Sequence, residues 1–118
     1  MSKIERGMII DVNLEPTKGS ETGKIRPCVV VTNNTYNQKL NVIQVVPITE
    51  WTEKKSKIIT NVEINPSSDN GLIKLSIADC LQTRPIDHTH RLISFRGQLD
   101  SPTIEKIDKA LKIVFALL

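Results

Sequence analysis

Gly23-Lys24-Ile25-Arg26-Pro27-Cys28-Val29-Val30-Val31-Thr32 carries the chain out of a polar, glycine-containing loop into a continuous apolar run. Bounded by Pro27 before it and Asn33-Asn34 after it, the run Cys28–Thr32 reads as a short strand covered on both faces, deep in a sheet. Working outward, Met8, Ile10, Val12 and Leu14 alternate with Ile9, Asp11 and Asn13, the period of a half-buried strand. Downstream, Val42–Val46 repeats the apolar signature and ends at Pro47. Ile58, Thr60, Val62 and Ile64 then alternate with Lys57, Ile59, Asn61 and Glu63. Asn65–Gly71 is a dense turn cluster, Leu72–Gln82 returns to the sheet with an interruption near Ser76, and Arg91–Leu99 gives a further strand. The end is helical: Ser101 caps, Pro102 takes the first helical position, and Ile104, Ile107, Leu111, Val114, Phe115 and Leu118 make one apolar stripe. Many short strands followed by one packed helix predict a mainly β fold, a small and strongly curved antiparallel sheet with a C-terminal helix.

The 118 residues suffice for one domain, 1–118, without repeats, linkers or low-complexity segments. A net charge of +3 and a pI near 9.0 agree with a polyanionic partner. Aromatic residues are only 3%, so the stacking platforms of general single-strand binders are largely missing, and a nucleic-acid site must rely on backbone amides, arginine and lysine. Cys28 and Cys80 lie in apolar runs and read as buried thiols in a reducing cytoplasm. Neither a secretory h-region nor an apolar stretch of spanning length is present, so no membrane association is expected and the Asn33-Asn34-Thr35 sequon has no consequence.

Arg26 stands where chemistry is expected. Gly19 and Gly23 let the preceding loop turn tightly or move, while Pro27 fixes the backbone as it enters the sheet. A guanidinium offers a planar fork of donors suited to a phosphate, which makes this a candidate phosphate-handling site.

The stretches Arg6–Val12, Asn13–Glu21 and Gly23–Pro27, with Asn33–Asn37, Val45–Thr49, Gln82–Asp87 and the closing helix, resemble the MazF/PemK toxins. These are the sequence-specific endoribonucleases of toxin–antitoxin pairs. The resemblance spans nearly the whole chain. It implies an SH3-like barrel, metal-independent cleavage of single-stranded RNA, chiefly messenger RNA, and products with a 2′,3′-cyclic phosphate and a 5′-hydroxyl. It also implies a homodimer held in check by an acidic antitoxin that wraps the dimer and blocks the RNA groove; no cofactor is expected.

Cleavage by a neighbouring 2′-hydroxyl requires alignment, neutralisation of the phosphorane charge and proton transfer. Arg26 suits the second task and, since a guanidinium is scarcely ever neutral near pH 7, is a poor base. The resemblance makes Thr49 its catalytic partner, a strand-end hydroxyl able to donate to a phosphate oxygen. Thr17, Lys18, Ser20, Glu21, Lys24, Trp51, Lys54, Gln82 and Arg84 are candidate RNA-binding residues, with Lys55 and Lys57 completing a positive collar. Glu21 is open to three roles: accepting from a base edge, holding Arg26, or acting as a base. Trp51 is equally an RNA-stacking group or a half-buried anchor.

Many relatives carry an acid immediately before Gln82, where this chain has Leu81. Asp79, two residues earlier on the same face of a regular strand, either stands in for that acid or is only a solvated or structural group. The second is favoured, because Leu81 lies in a run whose other members look buried. His88 and His90 fit a polar loop better than a metal site, having no further ligands in sequence; no nucleotide-binding loop, zinc pattern or serine elbow occurs. Two rivals remain. A gyrase-binding toxin of the CcdB type would use a tryptophan near its C-terminus, where this chain ends Val114-Phe115-Ala116-Leu117-Leu118. A catalytically inactive RNA-binding relative is the other, kept open by Leu81.

Overall fold

In the computed structural model, which describes residues 3–118, the chain forms one antiparallel sheet with a helix packed on it. The strands are β1 (Met8–Asn13), β2 (Ile25–Val30), β3 (Val42–Glu50), β4 (Asn61–Ile64), β5 (Ser76–Asp79), β6 (Arg84–Asp87) and β7 (Leu92–Gln98). Their order is β4-β5-β3-β2-β1-β7, with β6 also beside β3. The expected mainly β architecture with a C-terminal helix is therefore present, but the terminal strands β4 and β7 do not pair and the sheet stays open. The segment after β4 prevents closure: the Gln98 N–H donates to the Asp69 carbonyl at 2.9 Å, so a turn occupies the outer edge of β7 where a barrel would need a strand.

Of the run that decided the fold, Cys28–Val30 is covered on both sides as read, while the strand ends at Val30, and Val31 and Thr32 are partly exposed. Val29 enters one core with Ile9, Val46, Ile48 and the helical Ile107. Cys28 and Val30 enter a second core with Ile10, Val12, Ile43 and Val45. Each such aliphatic side chain contributes about 1.5–3 kcal/mol on burial, so two opposed cores tie the centre of the sheet down from both faces.

Both prolines at β3 shape its edges. In β3 the Gln44 carbonyl accepts from the Val31 N–H on the β2 side, whereas the Val45 carbonyl accepts from the Thr83 hydroxyl on the other side. Backbone groups alternate sides along a strand, so Pro47 lacks an N–H on the edge shared by β5 and β6. That edge breaks: β5 pairs with Ile48–Glu50, β6 with Val42–Val45, and Cys80–Gln82 between them is a 3₁₀ turn. Pro27 likewise lacks the N–H that would face β3, and the β2–β3 ladder stops at Cys28↔Pro47, while β1–β2 continues to Asn13↔Ile25.

These breaks move several expected boundaries. The second strand begins at Ile25, ahead of Cys28, and β3 runs through Pro47 to Glu50. Leu72–Gln82 yields strand only at Ser76–Asp79: residues 72–75 are irregular up to Ser76, and a second break follows at Cys80. The helices are α1 (Asn34–Asn37), α2 (Glu53–Ser56), α3 (His88–Arg91) and α4 (Ser101–Val114). The first three are too short to show periodicity, and each is held by an N-cap: the Asn33, Thr52 and Asp87 side chains accept backbone N–H groups. In α4 the cap is Asp100, whose carboxylate accepts the Thr103 N–H at 2.8 Å; Ser101 is already helical. A carboxylate suits a helix N-terminus better than a hydroxyl because it also meets the dipole. The stripe stops at Val114, since the chain turns at Ala116 with φ 55 and leaves Phe115 and Leu118 exposed.

Gly97 of β7 lies against the turn that blocks closure, and a Cβ there would collide with the carbonyls of Asp69 and Asn70. Gly97→Ala should therefore cost about 2 kcal/mol or more and lower Tm by on the order of 10 °C. A melt indistinguishable from the parent would mean that the turn yields freely.

Candidate active site

The register that pairs Cys28 with Pro47, carried two residues further, sets Arg26 opposite Thr49 where the ladder has already ended. Both line one cavity of about 190 Å³, with Pro27, Ile48, Lys74 and Arg96 among its walls. Arg26 is half-buried; its Nε donates to the Gly23 carbonyl at 3.2 Å, which turns the head of the side chain back toward the loop that precedes it. Thr49 is 8% exposed, and its Oγ1 accepts from the Lys55 Nζ at 3.4 Å.

A second hollow of about 380 Å³ gathers Glu21, Gln82 and Arg84 with Thr22 and Leu81. Gln82 fastens the loop over it: its Oε1 accepts from the Thr22 N–H at 3.3 Å and its Nε2 donates to the Ser20 carbonyl at 3.2 Å. Glu21 accepts the Lys18 N–H at 2.8 Å and so closes a local turn; no hydrogen bond joins it to Arg26 among the described residues. Arg84 donates to the Leu14 carbonyl at 3.1 Å. The charges of Arg26 and Arg84 both reach the Cys28 thiol, but burial dominates and pushes it up to about 12. Burial raises Cys80 to about 12 as well, and both cysteines are free and buried, as expected.

The remaining predicted residues fall on two sides. Thr17 and Lys24 meet at Glu15, whose carboxylate accepts the Thr17 hydroxyl at 2.9 Å and the Lys24 N–H at 2.9 Å. Those bonds, the Lys24 amide first, hold its carboxyl below the ordinary range. Lys24 itself takes φ 66. Beyond Thr49, Trp51 is half-buried and its indole N–H donates to Glu63 Oε1 at 2.7 Å, which favours the anchoring role. Lys54 is exposed on α2. His88 meets the Leu40 carbonyl at 3.2 Å and His90 meets Asp87 at 3.3 Å. Among the described residues no three His, Cys, Asp or Glu side chains converge.

Glu15 and Arg91 escaped sequence reasoning. The Arg91 Nη1 donates to the Asn13 and Glu15 carbonyls at 2.9 and 2.7 Å. Glu15 left a local signal, a carboxylate two residues from Thr17, whereas Arg91 acts across the whole chain and left none. Leu81 is a correction. It is 66% exposed, because the 3₁₀ turn breaks the alternation that would have buried it and removes the shared strand face with Asp79. Asp79 is half-buried; burial raises its carboxyl above the ordinary range, opposed by the Gln82 amide and the Lys55 charge.

The structure is thus an open antiparallel sheet with a C-terminal helix, with Arg26, Lys74 and Arg96 lining one cavity where the β2–β3 ladder ends. The family model for "PemK-like, MazF-like toxin of type II toxin-antitoxin system" matches residues 5–115, and the chain belongs to that family. It is 34% identical over 115 residues to "Endoribonuclease EndoA" of Bacillus subtilis (strain 168), covering 98% of this chain and 97% of that one. MazF from Deinococcus radiodurans superposes with a TM-score of 0.84 at 17% identity, covering 99% of this chain and all (100%) of that one. A mycobacterial endoribonuclease in complex with its cognate antitoxin gives 0.73 at 21% identity, covering 100% and 98%.

Since Leu81 is exposed, Leu81→Glu should leave the melting temperature nearly unchanged, within the roughly 0.5 kcal/mol typical of surface sites. A large loss of stability would restore the buried reading that the 3₁₀ turn replaced.

Proposed function

We propose that this endoribonuclease toxin cleaves single-stranded RNA, messenger RNA above all, at a short sequence, with Arg26 and Thr49 acting on the scissile phosphate. The observation that carries the reading is their shared cavity where the β2–β3 ladder ends. The substrate 2′-oxygen attacks phosphorus, the P–O5′ bond breaks, the 2′-hydroxyl gives up its proton and the leaving O5′ gains one. The products are a 2′,3′-cyclic phosphate and a 5′-hydroxyl. Negative charge grows on the non-bridging oxygens during attack. The Arg26 guanidinium neutralises it, and the Thr49 hydroxyl, shielded from water, donates to it.

Arg84, Gln82 and the loop 17–24 form the RNA-binding wall, with Lys54 flanking the other side and Trp51, tied to Glu63, anchoring that flank. The Gln82 fastening supports a loop that opens as RNA enters, because its two bonds are the side-chain links between that turn and residue 82. An acidic antitoxin as partner is supported by the +3 charge and by the mycobacterial relative solved with its cognate antitoxin. A homodimer is supported by exposed Leu40 and Phe95 around an apolar hollow of about 390 Å³. Working in the cytoplasm accords with two buried free thiols.

Arg26→Lys should retain the fold and lose about 10²–10³-fold in cleavage rate, because an ammonium does not reproduce the planar fork. Thr49→Ala should slow cleavage more than it weakens RNA binding, since the hydroxyl acts on charge that develops only in the transition state. Single-turnover rates beside RNA dissociation constants test both, and equal losses in rate and binding for Thr49→Ala would make it a binding residue.

Cleavage should also persist in EDTA, because 2′-hydroxyl attack requires no metal-bound water. Activity abolished by chelation and restored by magnesium or zinc would overturn the mechanism.

A further inference from the structure

Lys55 differs from the lysines beside it. Lys54 and Lys57 are exposed, whereas Lys55 is half-buried and its Nζ lies 3.4 Å from the Thr49 hydroxyl. Its backbone is held at both polar groups. The N–H donates to Thr52 Oγ1 at 3.1 Å, and the carbonyl accepts from Asn61 Nδ2 at 3.0 Å. Thr52 caps α2 while Asn61 opens β4, so α2 is pinned between the end of β3 and the start of β4. The flexible part of Lys55 is thus only its side chain, and that side chain reaches Thr49.

An ammonium has three protons and no lone pair, so in this contact Thr49 must accept. A hydroxyl that accepts through its oxygen is left with its own proton directed elsewhere, and donation by a cation polarises the O–H bond. At a group only 8% exposed, water competes little with this arrangement. Asp79 faces Asn61 across the β4–β5 pair, and its carboxyl feels the Lys55 charge.

We infer that Lys55 is a positioning residue of the cleavage reaction, which fixes the Thr49 hydroxyl as a donor toward the scissile phosphate. This rests on the role given to Thr49 above, and goes beyond it by taking Lys55 out of the RNA-attracting collar.

The test is a double-mutant cycle on the full chain, with single-turnover cleavage of an oligoribonucleotide and its dissociation constant measured for each variant. Lys55→Met should slow cleavage about tenfold while changing RNA affinity less than about threefold, and in a Thr49→Ala background it should add under about twofold. Lys55→Arg should restore part of the rate, and thermal melts should show all variants folded; Lys55→Gln serves if the methionine variant does not fold. Lys54→Met, by contrast, should weaken RNA binding, as expected of the charged collar that Lys55 leaves. A slow Thr49→Ala on which Lys55→Met imposes its full further loss would overturn the positioning role alone, since Lys55 would then act independently. A Thr49→Ala protein with parental turnover would overturn the reading of Thr49 itself, and this inference with it.

Discussion

Two missing N–H groups, those of Pro27 and Pro47, organise this molecule around β3. A central strand normally uses every backbone donor, and withholding one leaves the neighbouring carbonyl without its ladder partner. At Pro47 the consequence is a divided edge, where β5 and β6 take separate halves of β3 and the Thr83 hydroxyl also donates to the Val45 carbonyl at 3.0 Å. At Pro27 the consequence is an early end to the β2–β3 ladder. One break points Gln82 at the loop; the other opens the cleft in which Arg26 and Thr49 meet.

The two cores make those breaks tolerable. Val29, Val46 and Ile48 are at most 1% exposed on the helix side, and Cys28, Val30, Ile43 and Val45 are equally buried on the other. A sheet held on both faces keeps its register where hydrogen bonds are interrupted, because a slip by one residue would exchange the two sets. The site therefore sits on rigid strands at one side and on a fastened loop at the other. Arg84 and Arg91 attach that loop to the sheet through the carbonyls of Leu14, Asn13 and Glu15, leaving the turn around Ser20 and Thr22 to the weaker grip of Gln82.

Polar side chains that look alike in sequence are thereby assigned different work. Trp51 is tied to Glu63, Glu21 to its own turn, and Lys55 to Thr49, while Lys18 and Lys54 remain exposed charge. Leu81 shows how a single geometric change alters a reading: the alternation that would bury it ends two residues earlier, at Asp79.

Local chemistry in the chain was enough to read the alternating strands, the two-faced burial of Cys28–Val30, the closing helix and the arginine at a strand entrance. Each rests on periodicity or on a turn residue a few positions away. The short helices, the Asp100 cap in place of Ser101, the exposure of Leu81 and Phe115 and the open edge at β7 were decided only by the fold. Each depends on which segment arrives from elsewhere: Asp69 at Gln98, Gln82 at Ser20 and Thr22, Arg91 at Glu15, Lys55 at Thr49. The local pattern says which groups are polar and where the backbone lacks a donor, but only tertiary packing selects the partner that satisfies them.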